Sequence, residues 1–196
     1  LCRAGNGISL TGYNMETGIT YEIDADVKEP GECILPAKLF GDIVRRLPEG
    51  PVTVVVDPAF KVSIRAGFAS FTISAEDAED YPELPDVNDG RPIQIPQSKL
   101  KELISGTIFA VADNQARPIH NGVKFEVSDT AVTTVAVDGF RLARRTYHPE
   151  EGLARQMDFV VPSQGLKELE KILTDSEDMA SFLLGSKHIL FQVGAA

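Results

Sequence analysis

The chain repeats one short pattern three times: a strand-like segment that ends in proline, followed at once by an amphipathic helical segment. The copies are CILPAKLFGDIVRRLPEG around Pro36, IQIPQSKLKELISG around Pro96 and FVVPSQGLKELEKIL around Pro162. Alternating apolar residues before each proline indicate a strand with one buried face, and proline is tolerated in the first turn of a helix. A chain built on this repeat is constrained to fold as a series of similar modules.

The three copies place apolar residues at the same distances from the proline. The residues three and one positions before the proline are Cys33 and Leu35 in the first copy, Ile93 and Ile95 in the second, and Phe159 and Val161 in the third. The residues four and seven positions after the proline are Phe40 and Ile43 in the first copy, Leu100 and Leu103 in the second, and Leu166 and Leu169 in the third. This is the spacing of one helix face. We expect these side chains to face the core.

Short runs of β-branched and aromatic residues, separated by turn formers, follow each helical segment. They are VTVVV, KVSIRA and FASFTIS after the first, GVKFEVSD and AVTTVAVDGFRLARRTY after the second, and MASFLLGS and HILFQVG after the third. Such runs predict antiparallel meanders. The segment GISLTGYNMETGITYEIDADV near the start resembles the end of another module. The predicted fold class is α+β, with one helix packed on antiparallel strands in each module and two modules in each domain.

The length of 196 residues allows one or two domains, and 43% hydrophobic residues is ordinary for a globular chain. The stretch from 75 to 92 is rich in acids and proline and predicts a linker, so we expect one domain over 1–88 and a second over 89–196. The chain starts without methionine in strand-like sequence and stops within a meander, which suggests a fragment of a longer protein.

Two sequence features bear on the cellular compartment. No apolar run approaches the roughly 18 residues of a membrane span, and no signal peptide is visible. Cys2 and Cys33 provide neither a disulfide framework nor the spacing of a metal site. A cytoplasmic, reducing compartment without membrane contact is the simplest interpretation.

Catalytic motifs are nearly absent. His120, His148 and His188 are scattered, and the chain contains no HExxH, CxxC, GxSxG or GxxxxGK[ST] pattern. A carboxylate pair formed in three dimensions, for example Asp138 with Glu126, keeps an enzyme open as a minority alternative. No cofactor and no metal ion is predicted.

Charge provides a sharper clue. The chain carries 19 Lys and Arg against 29 Asp and Glu, a net charge of −10 that repels nucleic acid overall. On the first helical segment, however, Lys38 and Arg45 lie opposite the apolar stripe and Arg46 flanks them; the stripe comprises Phe40, Ile43, Val44 and Leu47. A solvated face is the ordinary interpretation of this pattern. Weak binding of DNA phosphates is the functional one.

A second cluster is VDGFRLARR at 137–145, where a strand enters a turn at Asp138 and Gly139. Strand alternation after the turn places Phe140 and Leu142 on one face and Arg141 on the other. A meander strand with one core face explains the pattern structurally. The functional alternative is an exposed apolar notch beside an arginine, suited to a short peptide.

Several motifs together resemble one family. They are ISLTG at 8–12, LPAKLFGDIVRRLPEG at 35–50, IRAGFASFTIS ending at Ser74, DYPELP at 80–85, IPQSKLKELI at 95–104, NGVKFEV at 121–127 and VDGFRLA at 137–143. In this order and spacing the chain resembles the bacterial DNA polymerase III beta subunit, the replicative sliding clamp.

This resemblance implies a DNA clamp fold: three similar domains that dimerise head to tail into a ring around duplex DNA, with helices lining the hole. The chain would lack the first strand and helix of domain one, the last strands of domain two and all of domain three. Such a ring tethers the polymerase without catalysis. The implied partners are double-stranded DNA of any sequence, the polymerase alpha subunit, the clamp loader, other polymerases and repair proteins with clamp-binding motifs, and a second copy of the protein.

The resemblance also implies roles for individual residues. Lys38, Arg45, Arg46 and Asn114 are the expected DNA-facing set. The expected half of a groove for partner peptides comprises Arg117, His120, Val137, Gly139, Phe140, Arg141 and Leu142. Pro118, Ile119, Ser163 and Gln164 replace aromatic or basic residues of some relatives, which predicts looser DNA contact. The alternative to a clamp is a non-catalytic regulatory or structural binding module that shares the fold but does not encircle DNA.

Overall fold

The computed structural model of the chain describes residues 1–87, 91–112 and 118–196. In these ranges the helices are α1 Ala37–Val44, α2 Gln97–Ile108 and α3 Ser163–Ile172, with short 3-10 turns at Ala78–Asp80 and Pro118–Asn121. The strands before Pro85 are β1 Cys2–Ala4, β2 Ile8–Tyr13, β3 Gly18–Ile23, β4 Gly31–Cys33, β5 Val52–Val56, β6 Lys61–Ala66 and β7 Ala69–Ser74. Those after it are β8 Ile93–Pro96, β9 Gly122–Ser128, β10 Ala131–Val137, β11 Leu142–Tyr147, β12 Met157–Pro162, β13 Met179–Leu184 and β14 Ile189–Val193.

All paired strands run antiparallel, as the meander patterns predicted. Within the described ranges, four sheets have the strand orders β3-β2-β1-β4, β5-β6-β7, β11-β10-β9-β12 and β14-β13-β8. The predicted α+β class and its repeated modules are confirmed. None of the helices in the described ranges is both long and apolar enough to cross a membrane.

The chain divides into two compact units. Unit one comprises Leu1–Leu84 with Ala195–Ala196, and unit two comprises Pro85–Gly194. The predicted boundary between positions 88 and 89 lies on residues outside the described ranges. The domain limits of 1–88 and 89–196 therefore stay a prediction.

The proline pattern marks the start of each helix. Pro36, Pro96 and Pro162 all directly precede the first helical residue. In α2 and α3 the predicted stripe is buried, and both helices pack on the sheets of unit two. Proline suits this N-cap position because the backbone N–H groups at the start of a helix have no intrahelical partner.

The first helix is shorter than its apolar stripe predicted. After Val44 the backbone tightens, because the N–H of Arg46 bonds the carbonyl of Ile43 and the N–H of Leu47 bonds that of Val44. Pro48 follows and disfavours a helical conformation at Leu47. Val44 was expected in the core but is exposed. Ile43 is buried as predicted.

The core of unit two is built from both of its sheets and from α2 and α3. Its aromatic centre comprises Phe125, Phe159 and Phe182, with ring centroids 5.4 Å apart for the stacked pair Phe125–Phe159 and 6.4 Å for the edge-on pair Phe125–Phe182. Aromatic pairs at these distances add to the stability that area burial provides. The cluster continues from Ile93 to Val193, so the two sheets of unit two share one core.

Unit one has a smaller core and a more exposed apolar face. Val52, Val54 and Val56 of β5 pair with the buried Ala66, Ile64 and Val62 of β6, and directly opposite residues share one face of a sheet. In unit two the corresponding strand β13 is covered on its outer edge by β8. The described part of unit one has no strand on that edge of β5, and Val52, Val54 and Val56 remain exposed.

Candidate functional site

A tight turn at Asp138–Arg141 joins β10 to β11 at one end of the sheet β11-β10-β9-β12 in unit two. The Oδ1 atom of Asp138 accepts hydrogen bonds from the backbone N–H groups of Phe140 and Arg141, both at 3.0 Å. Its Oδ2 atom accepts one from Nε of Arg141 at 2.7 Å. Gly139 has φ +95°, a conformation that side chains with a Cβ rarely adopt. The turn is thus fixed by its own sequence.

The same contacts determine the protonation of Asp138. Hydrogen bonds from the N–H of Phe140 first, and from the backbone and guanidinium of Arg141, hold the pKa of this carboxyl below its usual range. Each contact favours the charged carboxylate. Asp138 is therefore an anionic anchor of the turn and a poor proton donor at neutral pH.

The turn presents two apolar side chains to solvent. Phe140 is fully exposed and Leu142 is 65% exposed, whereas the next residue, Ala143, is buried. The β11 strand begins only at Leu142, so Phe140 and Arg141 belong to the turn and not to the predicted strand. The reason is that the Asp138 carboxylate binds the N–H groups that a strand ladder would use. Phe140 and Leu142 are nevertheless exposed close to Arg141 in the chain, and the peptide-binding notch stays a prediction.

Two further residues of the predicted groove lie at this end of the sheet. Val137 pairs directly with Leu142, and continuing the β9–β10 register from the pair Val135–Lys124 brings Val137 opposite Gly122. His120 stands two residues before Gly122, and its carbonyl accepts the N–H of Ala112 at 2.9 Å. Val137 therefore lies beside the turn and His120 lies just before β9, whereas Arg117 lies outside the described residues.

Phe109 is an exposed aromatic side chain that the sequence interpretation missed. It lies at the C-terminal end of α2 and is exposed. Three residues later, the N–H of Ala112 bonds the carbonyl of His120. Helical phase provided the signal: nine residues after Leu100, at 100° each, Phe109 points opposite the buried stripe. Ile119 is exposed as well, so Phe109 and Ile119 join Phe140 and Leu142 among the exposed apolar side chains of unit two.

The predicted DNA-facing residues of unit one lie on and after α1. Lys38 is exposed in the first turn of the helix, and the structure contains no ion pair for it among the described residues. Arg45 caps the helix and pairs with Asp42 at 2.5 Å. Arg46 follows the helix end and is exposed. The basic face therefore exists, partly neutralised by Asp42, and Asn114 lies outside the described residues.

The carboxylate pair considered for catalysis does not form. Glu126 pairs with Thr133 in the β9–β10 register, five residues before Asp138, which corresponds to roughly 16 Å along a strand. Glu126 instead binds Lys124 at 2.9 Å. No cluster of three or more potential metal-binding side chains occurs in the part of the chain that is described.

A cleft of about 850 Å³ lies at the far end of β11 from the turn. Arg91, Tyr147, His148, Glu150 and Met179 are among its lining residues. None of the predicted site residues that the structure describes lines it. The candidate site of this chain is therefore the exposed turn and its neighbours, together with the basic face of α1.

One α-helix packed with antiparallel strands occurs once in the described part of unit one and twice in that of unit two, and this is the pattern of the DNA clamp fold. A family model for the N-terminal domain of the DNA polymerase III beta subunit matches residues 1–85, and one for its central domain matches residues 94–196. The chain belongs to the DNA polymerase III beta subunit family.

Curated relatives and solved structures agree with this assignment. The Beta sliding clamp of Halalkalibacterium halodurans is 34% identical over 198 residues, covering 95% of the chain and 52% of the relative. That of Bacillus subtilis is 33% identical over 195 residues with the same coverage of 95% and 52%. The crystal structure of the Bacillus subtilis DNA polymerase sliding clamp superposes with a TM-score of 0.93 at 32% identity, over 99% of this chain and 53% of that one.

A second solved structure, the DNA polymerase III subunit beta of Pseudomonas aeruginosa, gives a TM-score of 0.91 at 31% identity over 99% of this chain and 54% of that one. The chain thus spans about half the length of the relatives it matches.

Proposed function

We propose that this chain is part of a sliding clamp, the processivity factor of a bacterial replicative polymerase, which encircles duplex DNA and acts without catalysis. The observation that carries the proposal is the match of two consecutive clamp-domain models to a fold that divides into two units. In this proposal the complete protein is a homodimeric ring of the bacterial cytoplasm, close to the nucleoid.

The basic face of α1 is proposed to lie toward the DNA. Lys38, Arg45 and Arg46 can contact phosphates, which carry no sequence information. With a net charge of −10 the chain repels DNA overall, so that retention depends on encirclement rather than on tight phosphate binding. Asn114 completes the proposed DNA-facing set.

The exposed turn is proposed to receive short clamp-binding segments of the polymerase alpha subunit, the clamp loader, and other polymerases and repair proteins. Phe140 and Leu142 offer apolar contacts, and Arg141, fixed by Asp138, offers a charge beside them. Val137, Gly139 and His120 flank them, and Arg117 belongs to the same proposed set. Exposed aromatic residues and arginine are the residue types that dominate binding energy at interfaces.

Loader-assisted retention on DNA tests the proposal. The protein expressed from its complete reading frame is loaded onto nicked circular DNA, and the circle is then cut to a linear molecule. A topological tether stays on the circle and slides off the linear form. Equal retention on both forms would contradict encirclement and favour the alternative, a binding module that shares the fold.

A further inference from the structure

Two cysteines of unit one stand directly opposite each other on neighbouring strands. In the β1–β4 register Cys2 pairs with Cys33, and the adjacent pair Arg3–Glu32 is joined by an ion pair of 2.7 Å. Directly opposite residues point to the same face of a sheet. Cys33 is only 3% exposed and Cys2 packs against the same core cluster, so both thiols point into the interior.

The backbone hydrogen bonds define the geometry of this pair. Leu1 and Thr11 exchange both of their backbone bonds, each at 2.8 Å, between β1 and β2. Because the bonding direction alternates along a strand, the N–H and C=O groups of Cys2 face β4. Cys2 and Cys33 are therefore a hydrogen-bonded pair, whose Cα atoms lie about 5.5 Å apart. Disulfides span Cα distances of about 4.4–6.8 Å and Cβ distances of about 3.5–4.5 Å. Directly opposite residues hold their Cβ atoms about 4.5–5.5 Å apart, farther in hydrogen-bonded pairs than in the others, so closure requires the two strands to draw these Cβ atoms together by roughly 1 Å.

We propose that Cys2 and Cys33 form an oxidative modification site that closes to a cross-strand disulfide when the protein meets hydrogen peroxide. Both thiols are free in the structure. Closure would covalently link β1 to the edge strand β4, which leads through Pro36 into α1. The site is distinct from the exposed turn and from the proposed DNA-facing residues.

The reaction balances with one peroxide for each chain. The Cys2 thiolate, at the more accessible of the two positions, attacks one peroxide oxygen, and the O–O bond breaks to give a sulfenic acid and hydroxide, which takes up a proton. The Cys33 thiol then loses its proton and attacks the Cys2 sulfur. The S–O bond breaks and the hydroxyl group leaves as water. In total, two thiols are oxidised and one peroxide is reduced to two waters.

The surroundings of the pair make this reaction slow and selective. Burial raises the pKa of the Cys2 thiol, and burial together with the neighbouring Cys2 raises that of Cys33. Raised pKa values reduce the fraction of reactive thiolate. The closed disulfide is favoured over competing products because the second thiol is already opposite the first.

Intact mass spectrometry tests the site. The folded, reduced chain is treated with hydrogen peroxide, then labelled with a maleimide after denaturation. We expect a monomer that has lost two hydrogen atoms and takes up no label, and full recovery of two labels after dithiothreitol. The Cys2→Ser variant should instead retain Cys33 as a free thiol or a higher oxide.

Phenylarsine oxide provides a second measurement that does not depend on oxidation. A trivalent arsenical bridges two neighbouring thiols and releases one water, so we expect one arsenical for each native chain and none in Cys2→Ser or Cys33→Ala. A peroxide product limited to sulfinic acid or to disulfide-linked dimers would overturn the proposal. Uptake of the arsenical without any disulfide would overturn it too, because the thiols would then be adjacent but unable to close.

Discussion

Phe140 is the residue on which the proposed peptide surface depends most. Its side chain is fully exposed and is presented by a turn that Asp138 and Gly139 fix, so no part of its apolar area serves the fold. A large, accessible aromatic side chain on a rigid turn is the usual anchor of an interface.

Replacing Phe140 should therefore weaken peptide binding without affecting stability. For Phe140→Ala in the complete protein we expect at least a roughly tenfold rise in Kd for a labelled peptide that carries the clamp-binding motif of a polymerase alpha subunit, about 1.4 kcal/mol. Fluorescence anisotropy gives the Kd, and a thermal melt gives the stability.

Phe68→Ala is the matched control, because Phe68 is 95% exposed at the tip of the β6–β7 hairpin in unit one. An equal loss of peptide affinity in both variants would assign the effect to general surface apolarity. No loss in either would remove Phe140 from the proposed groove.

Asp138 predicts a dependence of stability on pH. Because its pKa in the folded chain lies below the usual 3.8, the carboxylate contributes stability that is fully present above about pH 4 and is lost as the pH falls through the folded-state pKa. Asp138→Asn should thus be less stable than the natural chain at pH 7, with a difference that shrinks below pH 4.

Urea unfolding at several pH values measures this difference. Asp26→Asn serves as the comparison, because it removes an exposed carboxylate that pairs with Lys28. If the stability gap between Asp138→Asn and the natural chain were the same at pH 3 as at pH 7, the turn would not depend on the charged carboxylate.

At the scale of elements, α1 differs from α2 and α3 although all three share one sequence pattern. The fourth position after the proline is completely buried in α2 and α3, at Leu100 and Leu166, whereas Phe40 of α1 is only partly buried. Val44, which belongs to the predicted apolar stripe of α1, is also exposed. The same pattern thus gives a tighter contact in unit two.

The proposed role of α1 is tested by reversing one of its charges. Lys38→Glu should leave the fold intact, since the side chain is exposed, and should reduce loader-assisted loading of the complete protein onto DNA several-fold. The reason is that a carboxylate beside the phosphates replaces attraction with repulsion.

Lys61→Glu introduces the same charge change on an exposed position of β6 in the same unit. Equal loading defects in the two variants would indicate an effect of net charge alone. Normal loading of Lys38→Glu would remove the α1 face from the DNA-facing assignment.

At the scale of the whole chain, the two units have separate cores of different size. The core of unit two contains 19 buried residues and that of unit one contains 5, counted over the described ranges. Buried apolar area is the main favourable term in folding. We therefore expect two thermal transitions for this 196-residue chain, with unit one unfolding first.

Scanning calorimetry of two variants checks this expectation. Phe182→Ala removes a side chain that is 1% exposed and should destabilise unit two by about 3–5 kcal/mol, shifting only the upper transition. Val54→Thr alters a position on β5 that is 39% exposed and should stay within about 0.5 kcal/mol. A single transition that Phe182→Ala shifts as a whole would show that the units unfold together.

Sequence patterns predicted the parts of the fold that depend on local chemistry. The helices begin directly after Pro36, Pro96 and Pro162, because the residue at the start of a helix needs no N–H for an intrahelical bond. The meanders follow from alternating apolar runs between turn formers. Gly5 and Gly7 form the turn between β1 and β2, with the N–H of Gly5 bonded to the carbonyl of Gly7 at 2.9 Å.

The candidate site was predictable in composition but not in shape. The sequence indicated Phe140, Arg141 and Leu142, yet the strand was expected to start two residues too early, because pattern reading gives no weight to the side chain of Asp138 as a competitor for backbone N–H groups. Phe109 was not predicted, because the apolar stripe of α2 identifies its buried positions and carries no information about an exposed aromatic residue on the opposite face.

The sequence by itself determined the repeat, the antiparallel modules and the stripes that face the cores, since these follow from periods of two and 3.6 residues. Only the tertiary structure decided which apolar side chains are covered. Val54 and Phe182 lie in similar strands, but β8 covers one strand and nothing in the described part of unit one covers the other. The opposition of Cys2 and Cys33 was likewise hidden, because strand register depends on pairing between residues distant in the chain.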